Sequence, residues 1–432
     1  MKKMSLFQIV LVATFGAVAV AAVLIFALAV GSNSASTVGT VTIWGTLDQT
    51  AFNTVIRQGL ETESRLAQVT YVQKNADTYV SDLTNALASG EGPDMFLLRQ
   101  DYAYSQAAKL IPIPSTSLSA SQFQNTFVDA AKPFIGEGGV LAVPLAVDPL
   151  ILYWNKDMLS SAGFAKPPQY WDELYDMARK ITVRNDGGAI KKSAIAFGEY
   201  SNVDNAKDVL SLLILQAGGL ITARDQSGKI IPALAPRTGD VTQATPSALR
   251  FFTEFSDPSK DDYTWNRSRP DARQSFAAGD LALYVGYASE QPLVLRMNPN
   301  LNFAVAPIPQ IRGAATAVDT GRVYGFAIPK TAQNPTGAIT VAYLLAATGM
   351  SQSLSVALGI PSARRDVLAL PAQGDDELFN KQAIITRTWV DPDPEETGRI
   401  FRGMIENTTS GASLLTEAVQ RADQEMAHLL GL

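Results

Sequence analysis

Residues 40–60 read TVTIWGTLDQTAFNTVIRQGL, and this stretch with its continuation to Leu98 decides the fold. Thr40 to Trp44 is a β-branched run that reads as a strand, and Phe52, Val55, Ile56 and Leu60 then recur at helical spacing. Val69 to Val72 is a second strand. Tyr79, Val80, Leu83 and Leu87 line a second helix that stops near Gly90, and Met95 to Leu98 is a third strand. Strands alternating with helices in this order imply a parallel sheet covered by helices. Ligands of such sheets bind outside the carboxyl ends of the strands, where the strand order reverses. The loops Trp44–Asp48, Gln73–Ala76 and Leu98–Tyr102 are therefore the ones to watch.

Working outward, a second region begins at Val140. Val140–Val143 and Ile151–Trp154 read as short apolar runs broken by Pro144 and Pro149. Helices follow at about 171–181 and 206–217, the latter closed by Gly218-Gly219. Further strands are expected at Ala282–Val285, Asn302–Ala306 and Val323–Ile328, then a helix from Pro335 to Ala347 and a largely helical C-terminus. A chain of 432 residues exceeds what one core usually organises, so two lobes are expected.

On the other side of Thr40, Lys2 and Lys3 precede Leu6–Val30, which is 25 residues without a charge. As a helix it would be roughly 37 Å long, enough to cross a hydrocarbon core of about 30 Å. The lysines keep the N-terminus inside, which sends the remainder outside. The run is long for a cleaved signal, although Ala27-Leu28-Ala29 resembles a cleavage site. We therefore expect an uncleaved anchor, with a cleaved signal as the alternative. Gly31–Thr40 is small and polar, a tether. The net charge of −6 argues against a nucleic-acid partner, and the lack of cysteine removes disulfides, thiolate metal sites and a lipid-bearing cysteine.

Several motifs now fall in an order that resembles the bacterial extracellular solute-binding protein family 1, the group containing maltose-binding protein. The most specific are Gly139–Asp148 (GVLAVPLAVD) followed by Leu152–Leu159 (LYWNKDML), similar to the family's hinge strand, site acid and adjoining segment. Gly92-Pro93-Asp94-Met95 with Asp101, Tyr170–Leu174, Gln216–Gly219, Phe276–Leu283, Gly325–Lys330 and Gly359–Arg364 continue the pattern. The resemblance covers about residues 41–430. It implies an α/β, two-lobed, type II periplasmic-binding-protein-like fold with a hinge, preceded here by one transmembrane helix (residues 1–36 with the tether). Lobe one would comprise 41–145 plus 312–348 and lobe two 146–311 plus 349–432, with crossings near 144–148, 307–313 and 347–353. It further implies an importer's extracytoplasmic binding subunit, held by residues 6–30, with a small solute (a carbohydrate) and an ABC permease as partners. We expect a monomer with no cofactor and no metal. The family's lipid-anchor cysteine is absent, and Ser289 stands where maltodextrin-binding members carry an aromatic, which argues against maltodextrin.

A sugar site needs fixed acceptors for hydroxyls and aromatic faces for C–H groups. Asp148, between the hinge proline and an apolar run, is read as a ligand contact, with a structural ion pair as the alternative. Asp101 follows the third strand and matches the family's acidic ligand contact. Asp48 reads equally as ligand contact and as the N-cap of the next helix. Tyr287 after Gly286, Trp389, Trp44 and Tyr324 are the aromatic-side candidates, with Arg99, Gln100 and Tyr102 as loop candidates, while Trp171 reads as core. Three acids with few bases beside them favour a neutral polyol or sugar over an anion and leave a cation open. Asp391–Glu396 (DPDPEE) superficially resembles a calcium loop, but a helix start with Asp393 as cap and Pro394 at its first position fits better. The single histidine, His428, sits in an apolar C-terminal helix and reads as packed or solvated, so no histidine-based triad or zinc site is expected, and no phosphate-cradling glycine motif occurs. Two carboxylates keep a glycoside hydrolase formally open. A sensory or adhesive module that binds without transport is the other rival.

Overall fold

The computed structural model describes residues 38–235 and 243–432. The expected membrane span at 6–30 lies outside the described residues. Among the described residues, no single helix is long and apolar enough to cross a membrane.

Strands β1 (Val41–Gly45), β2 (Val69–Gln73) and β3 (Met95–Arg99) run parallel in the order β2-β1-β3. Helices α1 (Gln49–Gly59) and α2 (Tyr79–Ser89) make the crossovers. Asp48 caps α1 by accepting the Ala51 N–H at 2.7 Å, and α2 ends where Gly90 turns left-handed at φ 76°. Both punctuation marks are those the sequence carries.

The sheet continues through two long antiparallel strands. These are β4 (Val143–Asn155) and, after β5 (Ile190–Ile195), β6 (Leu281–Tyr287) and β7 (Phe303–Ala306), the strand β8 (Asp319–Ala327). The hydrogen-bonded path is β2-β1-β3-β8-β4-β6-β5, with β7 also on β4. Residues 143–149 of β4 pair with β8, and residues 150–155 with β6 and β7. Two hydrophobic cores result. Val143, Leu145 and Val147 enter the first, and Leu150–Tyr153 the second. Asp148-Pro149 sits between them, so one strand joins both lobes.

The expected breaks at Pro144 and Pro149 do not occur, because β4 is continuous through both. Each proline faces a glycine on β8, Gly325 opposite Pro144 and Gly321 opposite Pro149, and the register shifts between Tyr324 and Gly325. A missing donor is tolerated at such an irregularity, and a missing Cβ makes room for the ring. At Gly321 a Cβ would lie 2.5 Å from the Asp148 carbonyl oxygen and 2.8 Å from Pro149 Cα. Gly321→Ala should therefore separate the junction strands and cost about 1–3 kcal/mol. A lowered midpoint in urea unfolding checks this, and an unchanged midpoint would contradict it.

The transfer placed at 347–353 falls later. Helix Thr348–Leu358 buries Leu354 in the first core, and Ile360, Ala363 and Leu368 follow it there. Gly359, left-handed at φ 64°, turns the chain back along β4. There the Val147 N–H donates to the Pro361 carbonyl and the Ala363 N–H to that of Leu145. Helix Asp375–Ile385 straddles the lobes, with Phe379 in the second core and Ala383 in the first. The C-terminal helices Pro394–Thr409 and Leu415–Leu429 pack on the second core.

Candidate functional site

The carboxyl ends of β1–β3 and the strand β8 enclose a cavity of about 150 Å³. Thr46, Ala76 and Tyr102 line it from the connecting segments, Arg99 from the end of β3, and Arg322 and Tyr324 from β8. Arg322 and Tyr324 are two apart on one strand and so share a face. Arg99 stands opposite Tyr324 in register, and Asp148 opposite Arg322. The cavity thus opens where the first lobe meets the strands that lead into the second.

Arg99 grips Asp101 with two donors, its Nε at 3.0 Å from Oδ1 and an Nη on Oδ2. Burial alone would raise the Asp101 carboxyl, but the Arg99 charge and hydrogen bonds outweigh it and hold Asp101 below the usual range. Arg322 lies over the Tyr287 ring at 3.9 Å, and the Tyr287 hydroxyl donates to Asp208 Oδ2 at 2.6 Å. Tyr287 and Asp208 belong to the second lobe, so this stack spans the junction. Behind it, Lys207 Nζ donates to Asp391 Oδ2 at 2.6 Å, to Thr397 Oγ1 at 2.7 Å and to the Pro394 carbonyl at 3.3 Å. Burial pushes the Asp391 carboxyl up to about 6 in spite of Lys207.

Asp148 is 1% exposed, and both its oxygens are occupied. The Ser289 N–H donates to Oδ1 at 2.9 Å and the Ser289 hydroxyl to Oδ2 at 2.6 Å. Burial raises this carboxyl to about 6 against those hydrogen bonds and the nearby Arg322 charge. Asp148 therefore ties the inter-lobe strand to the turn after β6. Ser289, where an aromatic was noted as missing, is its partner. Gly286 is held bare, since a Cβ would meet the Tyr284 ring at 2.5 Å.

The other expected residues divide. Tyr324, Arg99, Asp101, Tyr102 and Tyr287 gather around the junction, though one face of the Tyr287 ring is taken by Arg322. Gln100 is buried and bonds the strand itself, accepting the Val323 N–H at 2.6 Å. Asp48 is exposed at its cap. Trp44 is half-buried under the Lys74 ammonium at 3.5 Å. Trp389 stacks on Phe401 with ring centres 6.1 Å apart, and Lys207 lies 5.3 Å from it. Trp171 is buried and its indole N–H donates to Gln216, as a core residue's would. Asp393 caps the helix starting at Pro394 by accepting the Glu395 and Glu396 N–H groups. Arg322, Asp208 and Lys207 were missed. The available signal was a charged residue two positions before Tyr324, and a Lys-Asp pair opening an otherwise apolar helix.

Two α/β lobes joined by shared strands, with polar groups of both converging at the junction, define a two-lobed binding protein. Residues 67–350 match the family described as bacterial extracellular solute-binding protein, and the chain belongs to that family. A protein of Brucella abortus (strain 2308) named as a binding protein is 22% identical over 238 residues, 54% of this chain. A protein of Deinococcus radiodurans named as an ABC transporter-binding protein is 28% identical over 147 residues, 32% of this chain and 34% of its own length. The chain spans about half the length (53%) of the first of these relatives.

Solved structures give the same fold. An ABC transporter solute-binding protein of Thermotoga lettingae bound to α-D-tagatose superposes with TM-score 0.69 at 20% identity, over 91% of this chain and 100% of that one. The cyclic α-maltosyl-1,6-maltose binding protein of Arthrobacter globiformis gives 0.73 at 14% identity, over 90% and 98%. A sugar-binding protein of Xanthomonas citri gives 0.69 at 18% identity, over 91% and 97%.

Proposed function

We propose that this chain is the extracytoplasmic binding subunit of an ABC importer, capturing a small carbohydrate between its lobes and delivering it to a permease. The observation that carries the reading is a cavity at the strand ends lined by Arg99, Tyr102, Arg322 and Tyr324, with Arg322 stacked on Tyr287 of the other lobe, whose hydroxyl bonds Asp208. A solute bound there touches both lobes only when they are together. Its higher affinity for that arrangement shifts the population toward the closed form, which the permease reads. Residues 6–30 hold the subunit to the membrane, and it works as a monomer. The tagatose, maltosyl-maltose and sugar ligands in the names of the structural relatives support a carbohydrate.

The geometry favours trapping over hydrolysis. A hydrolase needs one free acid and one free carboxylate. Asp101 is committed to Arg99, and Asp148 to Ser289. Melting of the full-length chain in detergent, screened against sugars, sugar acids, sugar phosphates, polyols, amino acids and polyamines, tests the proposal. A carbohydrate at 100 times its Kd should add about 2.7 kcal/mol. A response only to amino acids or polyamines would contradict the carbohydrate assignment, and release of reducing sugar would contradict binding without catalysis.

A further inference from the structure

Among the described residues, two arginines, Arg99 and Arg322, are the only charged side chains that line the cavity, and they are not equivalent. Arg99 is engaged on two edges by Asp101. Arg322 makes no side-chain hydrogen bond among the described residues. Its one ion-pair contact is Asp208 Oδ2 at 3.9 Å, and that oxygen already accepts the Tyr287 hydroxyl at 2.6 Å. The surrounding carboxylates are committed elsewhere: Asp148 to Ser289, Asp391 to Lys207 and Thr397, Asp101 to Arg99. The Tyr287 ring, 3.9 Å from the guanidinium carbon, holds the group in place. A fixed planar guanidinium with open donors, lining a cavity that Val80, Leu83 and Phe96 also line, is arranged for one planar or tetrahedral anion carried on a compact body.

We infer that the solute is a carbohydrate bearing one anionic group, a carboxylate or a phosphate, which Arg322 grips while the rest of the molecule fills the aromatic-walled cavity. The inference rests on the binding function proposed above and departs from the neutral solute expected from the acids alone. The acids that suggested a neutral solute are engaged within the protein, Asp148 by Ser289, Asp101 by Arg99 and Asp48 by its helix, whereas Arg322 makes no side-chain hydrogen bond among the described residues. Lining of the cavity by apolar and aromatic groups beside two arginines and no carboxylate also disfavours an amino acid, whose ammonium would have no carboxylate among the lining residues.

Calorimetric titration of the full-length chain in detergent with matched sets tests this. The probes are neutral hexoses, pentoses and disaccharides, their uronates, and their phosphate monoesters. An acidic member should bind at least tenfold more tightly than its neutral parent, and comparing uronate with phosphate identifies which anion is read. Arg322→Gln should weaken that acidic ligand about ten- to 150-fold and leave its neutral parent almost unchanged. Arg322→Lys, which keeps the charge but loses the planar fork, should recover part of the loss. A neutral member binding as tightly as its acidic counterparts, or Arg322→Gln weakening both equally, would overturn the inference and leave the carbohydrate reading intact. Failure of every carbohydrate, neutral or acidic, to bind would overturn both.

Discussion

Asp148→Asn should raise stability at pH 7.5 by about 2–3 kcal/mol and change it little at pH 4. Burial lifts the folded carboxyl to about 6, above its ordinary 3.8. Between those values the folded state holds a proton that the unfolded chain has released. Stability from this group is therefore present below about pH 4 and is lost as pH rises through 6. Asparagine removes the titration yet retains the geometry. Its amide oxygen accepts the Ser289 N–H, and its amide N–H group donates to the Ser289 hydroxyl oxygen. Denaturation midpoints of wild type and variant at the two pH values check this. An equal shift at both, or a loss at pH 7.5, would contradict it. A carboxylate kept at such a cost between two lobes suits a junction whose geometry is selected for function.

Lys207→Met should have an effect of opposite sign, a loss of about 3–5 kcal/mol at pH 7.5, because it strands a buried carboxylate. Asp391 is 2% exposed, and Lys207 supplies its only ion-pair partner among the described residues. Without that charge the Asp391 carboxyl rises further above about 6, so at pH 5 it takes up a proton and the loss shrinks. A loss independent of pH would show that packing of the lysine stem, and not its charge, is what matters.

The parts of the fold set by local chemistry were legible in the sequence. The alternation at 41–45, the Asp48 cap and the Gly90 stop each depend on neighbours within a few residues. Where the outcome depended on partners far along the chain, the reading failed. Pro144 and Pro149 look like strand breakers until Gly325 and Gly321 are set opposite them. Apolar residues at 354–368 suit either core, and only the bonds from Val147 and Ala363 fix which one they join. The site shows the same division. The position of Asp101 just past the third strand could be read from the chain, because strand ends point to a switch point. The pairing of Asp148 with Ser289 spans 141 residues and leaves no local trace. An arginine on a strand reads as surface, so Arg322 escaped notice until its face and its neighbours were known.

The central claim is that one solute bridges both lobes at this junction. Hydrogen–deuterium exchange of the full-length chain, with and without the carbohydrate that raises its melting temperature most, tests this directly. The account expects slowed exchange at once in residues 98–102 and 320–324 beside the cavity and in 206–208 and 286–290 across the junction. Slowing confined to one lobe, or exchange unchanged at saturating sugar, would contradict it.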